Sequence, residues 1–157
     1  MEQNAMVGDS TASKEGHLDH GATHVALPVV DVDRSVDFYS RYAGMKVVHR
    51  RVDQATGSVV AWISDLTRPF VVVLIQAPET SEGLKGVWAH LGVGVASRDE
   101  VDRLCARAAA EGRAVVGPND YGYPVGYWAY IVDPDGHNLE ISHGQEVGFT
   151  VAQHRDK

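Results

Sequence analysis

The feature that most constrains this chain is an internal repeat. His24 opens an apolar stretch (Thr23–Val29) that leads into a helical pattern over Asp31–Ala43 and then Gly44. His90 lies in a second such stretch (Val87–Ala96), followed by a helical pattern over Ser97–Glu111 and then Gly112. Each glycine precedes short strand-like segments: Met45–Val52, Ser58–Ser64 and Phe70–Gln76 in the first half, and Ala114–Val116, Gly126–Val132 and Leu139–Ser142 in the second. The two histidines are 66 positions apart. Self-similarity at a fixed offset limits the fold more than any local propensity does. One helix cannot cover a sheet alone, so two such units have to pack together. The prediction is an α+β fold of paired β-α-β-β-β modules forming a U-shaped, partly open, barrel-like sheet. The expected divisions are a mobile tail over 1–22, a first module over 23–76, a linker over 77–86, a second module over 87–143 and a C-terminal extension over 144–157.

The helix ends are legible. Asp31 suits an N-cap, and Val32, Val36 and Tyr39 recur at helical spacing. Ser97-Arg98-Asp99-Glu100 reads as a capping box, and Gly44 and Gly112 suit helix stops. Val101, Leu104, Cys105 and Ala108 form the apolar stripe of the second helix.

Alternation along the strands sorts side chains by face. Val25, Leu27 and Val29 share one face, and His24 and Ala26 the other. In the second module, Leu91, Val93 and Val95 oppose His90, Gly92, Gly94 and Ala96. The apolar faces must meet the helices. The opposite faces carry one histidine each beside small residues, which leaves room for a ligand. On the last strand, Leu139 and Ile141 face the helix, while Asn138, Glu140 and Ser142 face the cavity. An inward carboxylate is costly unless it is paired or bound to a metal. Singly, each of these residues also suits a packed or surface role. Together, His24, His90 and Glu140 make a two-histidine, one-carboxylate set that leaves coordination positions open.

The segments beginning at His24 (His-Val-Ala-Leu-Pro-Val-Val), Arg34 (Arg-Ser-Val-Asp-Phe-Tyr), Ala43 (Ala-Gly-Met-Lys) and His90 (His-Leu-Gly-Val-Gly-Val), with the Asp133-Pro-Asp-Gly turn followed by Glu140, resemble the vicinal oxygen chelate superfamily. That superfamily includes glyoxalase I, methylmalonyl-CoA epimerase, extradiol dioxygenases, fosfomycin-modifying thiol transferases and bleomycin-resistance proteins. The resemblance spans Thr23 to about His143. It implies paired modules around a divalent metal held by His24, His90 and Glu140, and a homodimer in which ligands come from one chain or from both.

Departures from the family patterns narrow the reading. The fourth ligand of glyoxalase I and the epimerase falls at Val73, which cannot bind metal. Gln76 is the nearest polar alternative, but a shift of three positions turns its side chain to the other face. Tyr130 occupies the place of the extradiol tyrosine, while the extradiol histidine is missing near Tyr121-Gly-Tyr123. The threonine usual in the fosfomycin enzymes is replaced by Ala26. The bleomycin-binding proteins usually lack this ligand set.

The resulting expectation is a divalent-metal enzyme of extradiol-dioxygenase type acting on a small vicinal-oxygen substrate. Fe(II) is favoured, with Mn, Ni or Zn as alternatives. Tyr130 is the candidate catalytic hydrogen-bond donor, and Tyr121, Tyr123 and Val73 are candidate substrate contacts. Two other readings stay open: a glyoxalase-like lyase, isomerase or thiol transferase using Lewis-acid chemistry, and a non-catalytic drug- or metabolite-binding protein. His137 is expected to point to the helix side, and His143 to support the end of the Glu140 strand. His49 and Arg50 sit on a first-module strand where substrate-facing side chains occur.

Composition excludes other classes. Against 14 Lys+Arg stand 21 Asp+Glu, a formal net charge of −7. That balance argues against nucleic acid and against anionic membrane surfaces. No run of about 18 apolar residues is present. Residues 1–21 lack the apolar stretch of a signal peptide, and one cysteine, Cys105, forbids an internal disulfide, so the cytoplasm is the expected location.

Overall fold

The computed structural model of the chain describes residues 21–78 and 82–155. Nearly all of the expected tail, including His17 and His20, and part of the 77–86 linker lie outside the described residues. The first half runs β1 (His24–Val29), α1 (Val32–Ala43), β2 (Lys46–Val52), β3 (Val59–Ser64) and β4 (Val71–Gln76). The second runs β5 (Leu91–Gly94), α2 (Arg98–Ala110), β6 (Val115–Asp120), β7 (Tyr127–Val132) and β8 (Asn138–His143), with α3 (Val147–Arg155) after it. Among the described residues these strands make two four-stranded sheets, ordered β1-β4-β3-β2 and β5-β8-β7-β6. In both, the opening strand lies at an edge, parallel to the last, and the other pairs are antiparallel. The repeat is therefore real in topology, and the fold is α+β as expected.

Local chemistry sets the helix ends. Asp31 Oδ1 accepts from the Arg34 amide at 3.0 Å, and Gly44 takes a left-handed conformation (φ 62°) that sends its amide to the Tyr39 carbonyl. Ser97 Oγ accepts from the Glu100 amide at 3.1 Å. The reciprocal half of the expected capping box is not formed, because the Glu100 carboxylate turns to Arg103 at 2.6–2.7 Å. A second correction concerns Val87–Ala96, where only Leu91–Gly94 is strand. The preceding backbone is drawn off by Asn138, whose side-chain amide donates to the carbonyls of Gly86 and Ala89. The C-terminal extension forms α3, which the sequence reading left without structure.

The modules meet across α1. Phe38, Tyr39 and Tyr42 are buried on it, and aromatic burial of this size supplies much of the apolar driving force. Both tyrosine hydroxyls are partnered in the second half. Tyr39 donates to Asp133 Oδ2 at 3.0 Å and Tyr42 to Glu111 Oε2 at 2.6 Å. The Asp133-Pro-Asp-Gly turn returns the contact through Asp135, which accepts from the Val30 amide at 3.0 Å. His137 is fully buried, on the helix side as expected. Its Nε2–H donates to the Pro28 carbonyl at 2.8 Å, and its Nδ1 accepts from the Leu84 amide at 3.1 Å. Both ring nitrogens are thus committed to backbone, and the residue clamps β1 and the linker onto the second module.

Glu111, at the end of α2, gathers Tyr42, Arg41, Arg107 and Arg113. The Tyr42 hydroxyl first, then the arginines, hold its carboxyl down to about 2 against an ordinary value of 4.5. A depressed acid stabilises the fold fully above its unfolded value and loses that contribution as pH falls through the folded one. Thermal melts of the parent should therefore drop between about pH 4.5 and pH 2. Glu111→Gln should melt lower than the parent at pH 7 and follow a flatter curve across that window. Parallel curves for the two proteins would contradict the assignment.

Candidate functional site

Cross-strand register lays out the face of each sheet turned away from its helix. In the second module, Gly92, Glu140, Tyr130 and Val116 are successive Cα partners across β5, β8, β7 and β6. A second row contains Gly94, Ser142, Trp128 and Asn119. A Cβ at Gly92 would lie 3.8 Å from Glu140 Oε1, in ordinary van der Waals contact.

Glu140 is 5% exposed. Its Oε2 lies 3.4 Å from His90 Nε2, and its Oε1 accepts from the Gln145 side-chain amide at 2.6 Å. The tautomer of His90 follows from its other nitrogen. Nδ1 lies 2.7 Å from the Trp88 carbonyl oxygen, which can only accept, so Nδ1 carries the hydrogen. The Tyr130 hydroxyl, 3.0 Å from the same nitrogen, accepts a share of that N–H. A neutral His90 then presents an Nε2 lone pair toward a carboxylate oxygen. Two acceptors facing each other repel unless a proton or a metal cation lies between them. Donors bound at about 2.0–2.2 Å on neighbouring coordination positions sit about 3.0–3.5 Å apart. The observed pair fits a divalent cation in both donor type and spacing.

Tyr130 is buried, and burial followed by the Glu140 charge pushes its hydroxyl pKa up, keeping it protonated. Rings continue outward from His90 to Tyr130 (5.1 Å), Trp128 (4.9 Å) and Tyr121 (5.4 Å). Trp128 Nε1 is buried without a hydrogen-bond partner among the described residues. Tyr121 and Tyr123 are exposed on the turn after β6, and Tyr121 meets Trp128 edge-on. The strand expected over Ala114–Val116 runs on as β6 to Asp120.

The first module repeats the layout with different residues. Ala26, Val73, Trp62 and His49 are successive partners across β1, β4, β3 and β2. Ala26 thus corresponds to Gly92, Val73 to Glu140, Trp62 to Tyr130 and His49 to Val116. The His49 and Trp62 rings stack at 5.0 Å. His24 is exposed, with Nδ1 2.9 Å from its neighbour Thr23 Oγ1. Among the described residues no group of three His, Cys, Asp or Glu side chains converges, so within one chain His24 does not join His90 and Glu140. Arg50 pairs with Asp33 on the helix side. Gln76 accepts from the Val59 amide and aligns with buried Val29, on the face opposite Val73's. His143 Nδ1 donates to the Val95 carbonyl at 3.1 Å, fixing the end of β8 against the chain after β5.

Gln145 escaped the sequence reading. It lies just past the last strand of the repeat, where no periodic pattern points, and a glutamine there carries no motif. The signal that could have found it is its distance of five residues from an inward carboxylate. It also lines a cavity of about 940 Å³ bounded by β3, β4, β5 and α3.

Comparison with known proteins agrees with this architecture. The chain is 37% identical over 128 residues to an uncharacterized Pseudomonas aeruginosa protein, PA2024, covering 80% of this chain and 90% of that one. It is 30% identical over 135 residues to a lactoylglutathione lyase of Neisseria meningitidis serogroup A, covering 82% and 94%. The crystal structure of TnmS3, an antibiotic binding protein from a Streptomyces species, matches with a TM-score of 0.59 at 25% identity, covering 82% and 99%. The family profile described as Glyoxalase/Bleomycin resistance protein/Dioxygenase superfamily matches residues 21–141. With the profile spanning both modules, from before His24 to just past Glu140, the chain belongs to that superfamily.

Proposed function

We propose that this protein is a divalent-metal-dependent enzyme acting on a small substrate with two adjacent oxygens, by Lewis-acid lyase, isomerase or addition chemistry. The observation that carries this reading is the facing pair His90 Nε2 and Glu140 Oε2 at 3.4 Å, with the imidazole tautomer set by the Trp88 carbonyl. When bound, a divalent metal would polarise substrate oxygens and stabilise negative charge developing on them. The chain supplies the rest. His90 and Glu140 hold two donors in place. Tyr130, protonated and packed against His90, excludes water from one side of the imidazole. The row of Tyr130, Trp128 and Tyr121 offers an aromatic wall of mutually tilted rings beside the donors.

The third donor in this reading is His24 of a second copy. The sheet edges support it: among the described residues β1 and β5 are both unpaired on their outer sides, and His24 opens one while His90 immediately precedes the other. A two-fold axis relating β1 of one copy to β5 of the other would join the sheets and cover both edges. Trp88 is 84% exposed beside His90, and α3 displays Val147, Phe149 and Val151 with no buried residue. Such apolar surface suits an obligate partner.

Ring cleavage with Fe(II) uses the same donors, but its case rested on Tyr130 reaching a bound oxygen. Here that hydroxyl lies on the far nitrogen of His90 instead. Sequestration without turnover is a second reading, favoured by the likeness to TnmS3 and by the aromatic row. Metal content separates them.

Protein purified without a tag or added metal should carry about one divalent ion per chain by mass spectrometry. His24→Ala, His90→Ala and Glu140→Gln should each lose it, with turnover of a methylglyoxal–glutathione hemithioacetal or of another vicinal-oxygen substrate falling at least 100-fold. A mixed dimer of His24→Ala and Glu140→Gln chains should regain half the metal, because one of its two sites is intact. Metal-free parent protein with unchanged ligand binding after His90→Ala would favour sequestration, and no recovery in the mixed dimer would sink the shared site. Oxygen uptake by the Fe(II) protein with a catechol would restore the ring-cleavage reading.

Val73 occupies in the first module the place that Glu140 holds in the second. In this reading Val73→Glu should add a fourth donor. Calorimetry should show metal affinity rising at least tenfold, and affinity equal to that of the parent would remove the equivalence.

A further inference from the structure

We propose that Gln145 is a positioning residue for Glu140, holding one carboxylate oxygen so that the other alone is offered to the metal. The inference rests on the metal reading above and extends it to a residue outside the repeat. Gln145 Nε2 donates to Glu140 Oε1 at 2.6 Å, while Oε2 faces His90 Nε2 at 3.4 Å. The two oxygens therefore have separate tasks. A carboxylate free to rotate would share both oxygens with a cation or turn away from it. A donor fixed on one oxygen removes that freedom, and outer partners of this kind affect affinity strongly.

The backbone carrying Gln145 is itself held. A Cβ on Gly126 would lie 2.5 Å from the His143 carbonyl oxygen, 2.7 Å from Gly144 C and 3.0 Å from Gln145 N. Only a residue without a side chain lets the start of β7 close on the 143–145 segment. Immediately beyond, the Glu146 amide donates to the Pro124 carbonyl at 3.1 Å. The carboxamide is thus presented from a clamped backbone, not from a free tail. Gln145 and Val147 also line the cavity between β4, β5 and α3, so the side chain stands between that cavity and the donor pair.

The arrangement matches the treatment of His90. One ligand nitrogen is fixed by the Trp88 carbonyl, leaving Nε2 free. One ligand oxygen is fixed by the Gln145 amide, leaving Oε2 free. Backbone holds the first and a side chain holds the second, so the second can be tested by substitution.

The test uses the full-length protein and Mn(II) as the probe. Gln145→Met keeps the length of the side chain and deletes the donor, Gln145→Ala deletes both, and Arg68→Ala is the control on the wall of the same cavity. Expected is a 10- to 100-fold loss of Mn(II) affinity by calorimetry for both Gln145 variants, with melting temperatures near that of the parent and Arg68→Ala unchanged. The electron paramagnetic resonance spectrum of the ion still bound should also change its zero-field splitting, as the freed carboxylate alters its mode of binding. Affinity and spectrum of Gln145→Met equal to those of the parent would overturn the proposal while leaving the metal site standing. If parent and Glu140→Gln alike bind no Mn(II), the metal reading fails, and the role of Gln145 fails with it.

Discussion

A carboxylate held almost entirely out of water, opposite the lone pair of an imidazole, is the interaction around which the second sheet is arranged. Glu140 sits on the central strand β8, with Gly92 on one side and Tyr130 on the other. Burying an anion is unfavourable unless something answers its charge. The neighbouring residues are organised to that end. Tyrosine packs on the imidazole, and a carboxamide from beyond the strand takes one oxygen. Hydrogen bonds from neutral groups moderate the cost without neutralising the charge, which leaves a demand that the proposed cation would satisfy.

The two modules show how one scaffold diverges when only one half keeps the anion. Where the second module has Glu140 and Tyr130, the first has Val73 and Trp62, in matching register. Val73 needs no charge partner, so nothing like Gln145 is required beside it. Trp62 is 40% exposed where Tyr130 is 8% exposed. The first module therefore presents an apolar face with an imidazole on each edge strand, His24 on β1 and His49 on β2, and the second presents a buried carboxylate. In the proposed site the two faces would complement each other, one offering apolar surface and the other two of the donors.

Much of this was legible in the sequence because it rests on short-range rules. Strand alternation placed Leu27 and Val29 against the helix and Glu140 on the opposite face, since a strand has a period of two whatever surrounds it. The Asp31 and Ser97 caps and the Gly44 stop were readable for the same reason. The repeat added the topology. What failed depends on partners distant in the chain. Val87–Ala89 reads as strand by composition, but Asn138, about 50 residues away, claims its carbonyls. Glu100 had the capping spacing and an arginine three residues on, and the ion pair prevailed. The Nδ1 contacts of His90 were invisible because no spacing rule links a side chain to a carbonyl or hydroxyl across strands, and Gln145 offered only its distance of five residues from Glu140.

The separation of His24 from the other two donors bears on how such a site could be regulated by assembly alone. A single chain holds the expensive part, the buried carboxylate and its imidazole, already formed and braced by Trp88 and Gln145. It lacks the inexpensive part, an exposed histidine at a strand edge. Ordering a surface imidazole costs little, whereas assembling a buried ion site from a flexible state would cost several kcal/mol. In the proposed shared site, with the preorganised donors in one chain and His24 on the partner, metal retention would depend on association. The edges β1 and β5 would then serve two ends with one contact, since the pairing that hides their backbone groups would also bring the third donor to the metal.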